Sequence, residues 1–506
     1  MALPFFKKSP TKVLFVATEA APFAKAGGLG EVMFSLPRSL AKIGYDARVM
    51  VPRYAGIDLE KFKLEMEYEG LEVPTDAEED GKPSYLICNV RKFTSGNMER
   101  SPATTYFLEN MEYYEQRANV YGYADDAVRW ALLSRGVLEF IRHSEWKPEV
   151  IVCADWQTGF LPDYMKTVYK DDPILNNIAT IFSIHNLFYQ GMFDHRFVSE
   201  TDYDDGHSAL GSLFNPRMLK VNGMRRGILY ADLVTTVSPN YAREIMTAEY
   251  GELMDSLLRE RRSRVYGVLN AIDYKIFNPE TNPSLTENYN SQSLDKRAAN
   301  KAELQKRFGL KINPRTFVVA IVARLVEQKG MDLIMPVMEP LLKELKMQLF
   351  ILGAGESKYM TFFQELEKKY PGQVAAHLMF DKELPHVVYA GADAILVPSK
   401  FEPSGLSQME AMRYGCVPIV RKTGGLADTV EDYNPREKSG TGFVFENFDS
   451  LALALAITRA HENYRNPEAW SGLQKRGMEK DFSWKHSAAE YGRLFNIVLS
   501  LIAKEE

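Results

Sequence analysis

The chain has 506 residues, and a prior of roughly 150 residues per domain points to two or three domains. Hydrophobic residues make up 45% and charged residues 25%, the ordinary balance of a globular protein. The net charge of −6, from Lys+Arg 61 against Asp+Glu 67, lacks the basic footprint of a nucleic-acid binder.

The opening MALPFFKKSPTK has no apolar core of secretory length, and no apolar run reaches the roughly 18 residues of a membrane span. Residues 12–17, KVLFVA, read as a short buried strand. The glycine-rich KAGGLGEV (25–32) follows, then a helix around SLPRSLAKIG that stops at Gly44, and then a second strand in DARVMVP. This is a βαβ unit whose glycine loop sits where strand hands over to helix. Further strands are expected in SYLICNV, TTYFLEN, EVIVCAD, IATIFSIH and ADLVTTVS, with a long helix in DDAVRWALLSRGVLEFIRH. Cys88, Cys153 and Cys416 have no short spacing, so they form neither a zinc site nor a disulfide framework, and a reducing cytoplasm suits them.

Residues 276–295 are polar and turn-rich, a boundary or a surface excursion. A second alternation follows, with strands in TFVVAIVAR, QLFILGAG, QVAAHLMF, ADAILVPS, VPIVRK and GFVFEN. The helices between them include GMDLIMPVMEPLLKEL, SGLSQMEAMRYG and GLADTVED. Strands alternating with helices imply a mostly parallel, doubly wound α/β sheet. The chain therefore reads as two Rossmann-like domains, 1–270 and 271–483, with an amphipathic closing helix over 484–506 that crosses back to the first. The second glycine phrase, RKTGGLADTV (421–430), nearly repeats the first. Each half would then offer one glycine-rich loop to a shared deep cleft, since ligands bind outside the carboxyl ends of such strands.

Several motifs are missing. There is no phosphate-binding G-x-x-x-x-G-K-[ST] loop and no H-E-x-x-H, and GAGESK (353–358) has Lys358 where a dinucleotide fingerprint needs its third glycine. The DYD at 202–204 reads as a solvated acidic turn. Arg324 and Lys329, in ARLVEQKG after a strongly apolar strand, either grip a pyrophosphate or flank a helix start as surface charges. In FEPSGLSQMEAMRYG (401–415), a helix is expected from Gly405 to Tyr414, its first turn able to hold an anion. Glu402 just ahead faces a neutral or cationic part of a ligand, or is a surface acid favourable to the helix dipole. His185 ends an apolar strand as a ligand contact or a structural hydrogen-bonder. Asp155 and Trp156 suit a sugar, or are a helix cap and a core ring. Lys25, beside the first glycine loop, is a phosphate cation or a solvated lysine.

Taken in order, the phrases KAGGLGEV, SIHNLFYQG, TVSPNYAREI, GVLNAID, ARLVEQKG, LGAGE, GADAILVPSKFEPSGLSQMEAMRYG, VRKTGGLADTV and DFSWKHSAAEYGRLF resemble the bacterial and plant-type glycogen (starch) synthases, retaining glucosyltransferases of the GT-B fold. The likeness runs over nearly the whole chain. It implies that Lys25 and the backbone at Gly27 and Gly28 meet a sugar-nucleotide donor, and that Arg324 and Lys329 bind its diphosphate. It also implies that Glu402 bonds the glucose ring near the anomeric carbon, that His185, with Asn186 beside it, bonds the 6-hydroxyl, and that Phe380 stacks on the base. Gly405, Leu406 and Ser407 would offer the distal phosphate the start of a helix, with Thr423, Gly424 and Gly425 of the second phrase nearby, and Asp155 matches the acid of the family's D-W-H motif. Ala26, Glu31, Gln157, Ser404 and Ala271 depart from the family pattern.

The reaction implied transfers glucose from ADP-glucose, or UDP-glucose, to the 4-hydroxyl of an α-1,4-glucan or glycogen, with no metal and no other cofactor. No double-displacement nucleophile stands out, which favours front-face substitution within one ion pair. The rivals are a sucrose-forming GT-B enzyme, a nicotinamide-dependent oxidoreductase and an inactive glucan-binding protein. Tyr113, Tyr114, Tyr121 and Tyr123 crowd the stretch 109–126; Tyr114 and Tyr121 are expected to border the glucan.

Overall fold

A computed structural model describes residues 9–79, 81–96 and 101–505. Residues 1–8, most of the stretch read as lacking a secretory core, lie outside the described residues. The chain divides into two compact units: Met1–Val237 with Ala242–Val268 and Trp484–Glu506, and Ser238–Tyr241 with Leu269–Ser483. No helix among the described residues is long and apolar enough to cross a membrane.

The first unit is built on nine strands: β1 (Lys12–Val16), β2 (Asp46–Pro52), β3 (Glu65–Glu79), β4 (Lys82–Phe93), β5 (Thr105–Glu109), β6 (Val150–Ala154), β7 (Ala179–Ile184), β8 (Leu233–Thr236) and β9 (Val265–Gly267). Their order across the sheet is β3-β4-β5-β2-β1-β6-β7-β8-β9. From β5 to β9 every pair is parallel, whereas β3 and β4 form an antiparallel hairpin on one edge. The central strands are buried along nearly their whole length, as a sheet covered on both faces demands. The helix Gly28–Lys42 starts within the glycine loop and carries Pro37 inside it. It gives way to Gly44 at φ +98, a conformation glycine adopts without strain. The closing helix Trp484–Glu505 packs on the helix Gly28–Lys42 and on β7. Tyr45 donates to the Gly492 carbonyl at 3.3 Å and meets Phe495 ring to ring at 5.4 Å.

The second unit is built on β10 (Val318–Val322), β11 (Gln348–Leu352), β12 (Val374–His377), β13 (Ala394–Val397), β14 (Val417–Arg421) and β15 (Phe443–Phe445), in the order β12-β11-β10-β13-β14-β15 and parallel throughout. Counted within the unit, this is 3-2-1-4-5-6, the order of a dinucleotide-binding sheet. The first unit repeats it from β5 through β8 and adds β9 at that edge. The order reverses direction between β10 and β13 here, and between β1 and β6 there, so the crevice that takes ligands lies off the carboxyl ends of those strands. Apolar residues fill both faces of the second sheet, with Val319, Ile321 and Leu349 on one side and Val318, Ala320 and Phe350 on the other.

Two local expectations need correction. The segment 276–295 is an excursion of the second unit, not a boundary; Asn282 and Tyr289 are buried and bond to Tyr414. The acidic turn at 202–204 is not simply solvated. Asp204 is buried and takes a forked pair of bonds from Arg226 at 2.9 and 2.8 Å, while Arg226 also holds Asp163 at 2.6 Å. Deep ions of this kind persist only when paired. The three cysteines are buried and free, and burial pushes the Cys88 thiol up to about 12.

Candidate active site

In the first unit the site begins just past β1. Lys25, Ala26, Gly27 and Gly28 form an exposed turn leading into the helix Gly28–Lys42. Beneath it lies Glu19, 3% exposed. Glu19 Oε2 accepts the backbone N–H of Ala26 at 2.6 Å and of Gly27 at 2.8 Å, and Tyr121 donates to Oε1 at 3.2 Å. The Lys25 ammonium is paired with Glu31. A methyl group on Gly28 would meet no atom within 4 Å. The open side of the turn is therefore at Gly28, and its inner side belongs to Glu19.

Past β6, Asp155 has φ +57 and ψ −179, a region that residues other than glycine rarely occupy. The strain is held by its own carboxylate: Oδ1 accepts the N–H of His185 at 2.7 Å and of Asn186 at 3.2 Å. Asp155 thus ties the end of β6 to the end of β7. Burial raises its carboxyl to about 7 against the opposing pull of those two bonds, with Glu19 adding to the rise. Burial lowers His185 to about 4, so its ring is neutral at physiological pH, with Nε2 3.2 Å from the Ser183 hydroxyl. A neutral imidazole can both give and accept a hydrogen bond, which suits a sugar hydroxyl. Asn186 is half-buried beside it, its side-chain oxygen accepting the Phe188 N–H at 3.1 Å. Gln157 is buried, and its Oε1 has no hydrogen-bond partner among the described residues.

The expectation for Tyr114 is overturned. Its side chain is 0% exposed, and its hydroxyl donates to the Arg129 carbonyl at 2.6 Å. Packed this way, Tyr114 cannot border a glucan. Tyr121 is half-buried and faces inward, its hydroxyl 2.7 Å from Thr18 Oγ1 and within reach of Glu19.

In the second unit, Arg324 stands two residues past β10, exposed and with no ion-pair partner among the described residues. Lys329 lies on the next turn, and its Nζ is 2.5 Å from Glu402 Oε2. Ser399, fully buried, donates to the same oxygen at 2.9 Å. Glu402 is itself buried, and Lys329 and Ser399 both bond to its Oε2. These groups follow β10 and β13, the two strands at the reversal point of this sheet. The helix after Glu402 is shorter than the sequence suggested, Ser407–Arg413, with Leu406 at its N-cap. Gly405 precedes it at φ +64. Gln408, fully buried, donates to the carbonyls of Ser404 and Gly405 and to Thr429 Oγ1, which holds the bend in shape. Ser404 Oγ is buried without a partner among the described residues.

The second glycine phrase serves this bend. Thr423 is buried, and Gly424 at φ +45 opens the helix Gly424–Thr429. A methyl group on Gly424 would lie 1.8 Å from the Glu402 carbonyl oxygen, and one on Gly425 would lie 1.9 Å from that of Ser404. The Gly425 N–H donates to the Glu402 carbonyl at 3.0 Å. Phe380 is 79% exposed a few residues past β12, an apolar ring left largely in solvent.

Sequence reading missed Glu19 and Ser399. Both lie two or three residues past the carboxyl end of a buried strand, and that position was the available signal.

Two doubly wound sheets of one strand order, with cations and a buried acid at the reversal point of the second, define a GT-B glycosyltransferase. Residues 12–260 match the starch synthase catalytic domain, and residues 303–475 match the glycosyl transferases group 1 model. The chain is 40% identical over 501 residues to the glycogen synthase of Thermotoga petrophila, covering 97% of this chain and 100% of that one. It is 40% identical over 499 residues to the glycogen synthase of Geobacillus stearothermophilus, covering 98% and 99%. Among solved structures, the catalytic domain of starch synthase IV from Arabidopsis thaliana, bound to ADP and acarbose, superposes with a TM-score of 0.83 at 31% identity over 97% of this chain and 100% of that chain. A sucrose-phosphate synthase from Thermosynechococcus elongatus, at 17% identity and a TM-score of 0.57, shares the fold alone. The chain belongs to the glycogen (starch) synthase family and is a glucosyltransferase.

Proposed function

We propose that the chain extends an α-1,4-glucan by transferring glucose from ADP-glucose to a terminal 4-hydroxyl, with retention and without a metal. The observation that carries this reading is the Lys329–Glu402 pair, with the exposed Arg324 five residues before Lys329 on the same strand-end loop. Positive charge develops on the glucosyl carbon in the transition state and negative charge on the departing diphosphate. Arg324 and Lys329 are cations aimed at the second, and fixed donors of that kind favour the transition state over the ground state. Glu402 offers Oε1 to a sugar hydroxyl while Oε2 is held by Lys329 and Ser399. A diphosphate arriving at Arg324 gives Lys329 a second anion without moving the acid. Neutral His185 bonds the glucose 6-hydroxyl, with Asp155 holding it in place through the backbone. No carboxylate is assigned as a covalent nucleophile, so retention follows from front-face substitution, the acceptor oxygen arriving on the side the diphosphate leaves.

The choice of ADP-glucose is supported by the plant starch synthase IV domain, which holds ADP. Exposed Phe380 offers a stacking face for the base. The test is a donor panel with glycogen as acceptor, reading growth of the polymer. ADP-glucose is expected to exceed UDP-glucose in kcat/KM by at least about ten-fold, as a site that pairs with one base discriminates against another. Equal use of both donors would overturn the donor choice. Transfer to fructose or fructose phosphate in place of glycogen would overturn the acceptor.

A further inference from the structure

We infer that Glu19 is a positioning residue that clamps the Lys25–Gly28 turn in its donor-receiving form. The inference rests on the proposed function for the ligand's identity, but the clamp itself stands on geometry. Glu19 is 3% exposed, and a carboxylate that deep needs hydrogen-bond donors. It finds three: the N–H groups of Ala26 and Gly27 and the Tyr121 hydroxyl. Tyr121 in turn lies 2.7 Å from Thr18 Oγ1, so the network is anchored two residues past β1.

The turn has two faces. Methyl groups on Gly27 and Gly30 would meet Glu19 oxygens at 3.5 and 3.1 Å, while Gly28 faces open space. With Ala26 and Gly27 already bonded to Glu19, an incoming anion has the Gly28 side and Lys25 left to approach. Glu19 therefore fixes which amides the ligand meets and spares the ligand the entropy of ordering the turn.

The test uses the full chain with ADP-glucose as the probe. Glu19→Leu keeps the volume and removes the acceptors. It is expected to weaken ADP-glucose affinity in calorimetry by about ten-fold, the size of a lost hydrogen bond to a charged group. The glycogen KM should stay within about two-fold, a split that general destabilisation does not produce. Amide hydrogen exchange at residues 24–30 should speed up in this variant. Glu19→Gln retains an oxygen for both amides and is expected to restore affinity and protection. Unchanged affinity in Glu19→Leu overturns the clamp, and so does failure of Glu19→Gln to recover it. If Glu19→Leu does not fold, Tyr121→Phe removes one bond to the carboxylate. It should weaken ADP-glucose by about three-fold with glycogen KM unmoved, and no shift overturns the proposal. A parent chain that binds ADP-glucose yet adds no glucose to glycogen would refute the acceptor and leave the clamp to the binding and exchange readouts.

Discussion

The two glycine-rich phrases look alike in sequence and are held in opposite ways. KAGGLG is gripped from below by a side chain, the buried carboxylate of Glu19, and keeps an open face at Gly28. TGGLAD is gripped by backbone, with Gly424 and Gly425 pressed against the carbonyls of Glu402 and Ser404. In the first, glycine leaves room for something outside the chain. In the second, glycine leaves room for the chain itself. The same two letters thus keep an open face in one unit and place an acid's loop in the other.

The largest effect belongs to the second region. Removing one preorganised donor costs about 3–4 kcal/mol in the transition state, or roughly 10²–10³ in rate. Arg324→Ala and Lys329→Ala are both expected to lose kcat on that scale with saturating nucleotide-glucose. Their melts should differ. Arg324 is exposed, so its loss should shift stability by less than about 0.5 kcal/mol. Lys329→Ala leaves Glu402 buried with Ser399 alone, so its melting temperature should fall. Arg324→Lys should rescue only partly, because the forked geometry is lost. Near-normal kcat in both Ala variants would remove the diphosphate from this site.

A glycine exchange tests the contrast directly. Gly424→Ala forces a methyl group to within 1.8 Å of the Glu402 carbonyl oxygen at a positive φ, and should cost about 3 kcal/mol of stability together with activity. Gly28→Ala meets nothing within 4 Å and needs no unusual φ, so its melt should match the parent. Its KM for ADP-glucose should nonetheless rise, because the methyl stands where the ligand approaches. A Gly28→Ala variant with normal KM and normal melt would mean that the open face receives nothing, and the contrast would collapse.

The first region also titrates. The Asp155 carboxyl is raised from 3.8 to about 7, so the folded chain holds this proton more tightly than the unfolded one. Stability is therefore drawn down as pH climbs through that interval. His185 is lowered from 6.5 to about 4, so the folded chain resists its protonation and stability is lost as pH falls through that interval. The two slopes oppose each other. Asp155→Asn keeps an oxygen for the His185 and Asn186 amides and removes the first slope. Denaturant titrations of this variant between pH 4 and pH 7 should show stability rising with pH more steeply than in the parent. A parallel shift with no change of slope would show that Asp155 titrates normally.

Much of the architecture was legible because parallel strands buried on both faces are near-continuous apolar runs. All six strands of the second unit were read from the chain alone, KVLFVA and EVIVCAD in the first being equally plain. The hairpin strand Glu65–Glu79 escaped notice. It is acidic, it contains Gly70 and Pro74, and only the alternating Leu71, Val73 and Thr75 point inward. An edge strand of this composition carries little β signal. The charged residues were legible as positions at strand ends but not as partners. Lys329 and Glu402 are 73 residues apart, hydrogen-bonded groups brought together by the ends of two different strands, and no local pattern announces such a meeting. Tyr114 misled because a crowd of tyrosines reads the same on a surface as in a core. Its hydroxyl found a backbone carbonyl, which is how a tyrosine can be buried at little cost.

The smallest expected effect returns to aromatic rings. Tyr114 and Tyr121 in the first unit spend their hydroxyls on the protein, whereas Phe380 in the second has no polar handle and is 79% exposed. An apolar ring left in water is no help to the fold, so Phe380→Ala should change stability by less than about 0.5 kcal/mol. If the ring stacks on the base, its loss should weaken ADP-glucose by about 0.5–1.5 kcal/mol, a few-fold in KM. That contact is the same in the ground and transition states, so kcat at saturation should hold. Phe380→Tyr should behave as the parent, because the stacking face is kept. The discriminating measurement is calorimetry with ADP against inorganic pyrophosphate. Phe380→Ala should weaken the first and leave the second alone, while Arg324→Ala should weaken both. Equal loss of ADP and pyrophosphate in Phe380→Ala would place the ring's influence on the phosphates, and the base would have to find its partner elsewhere.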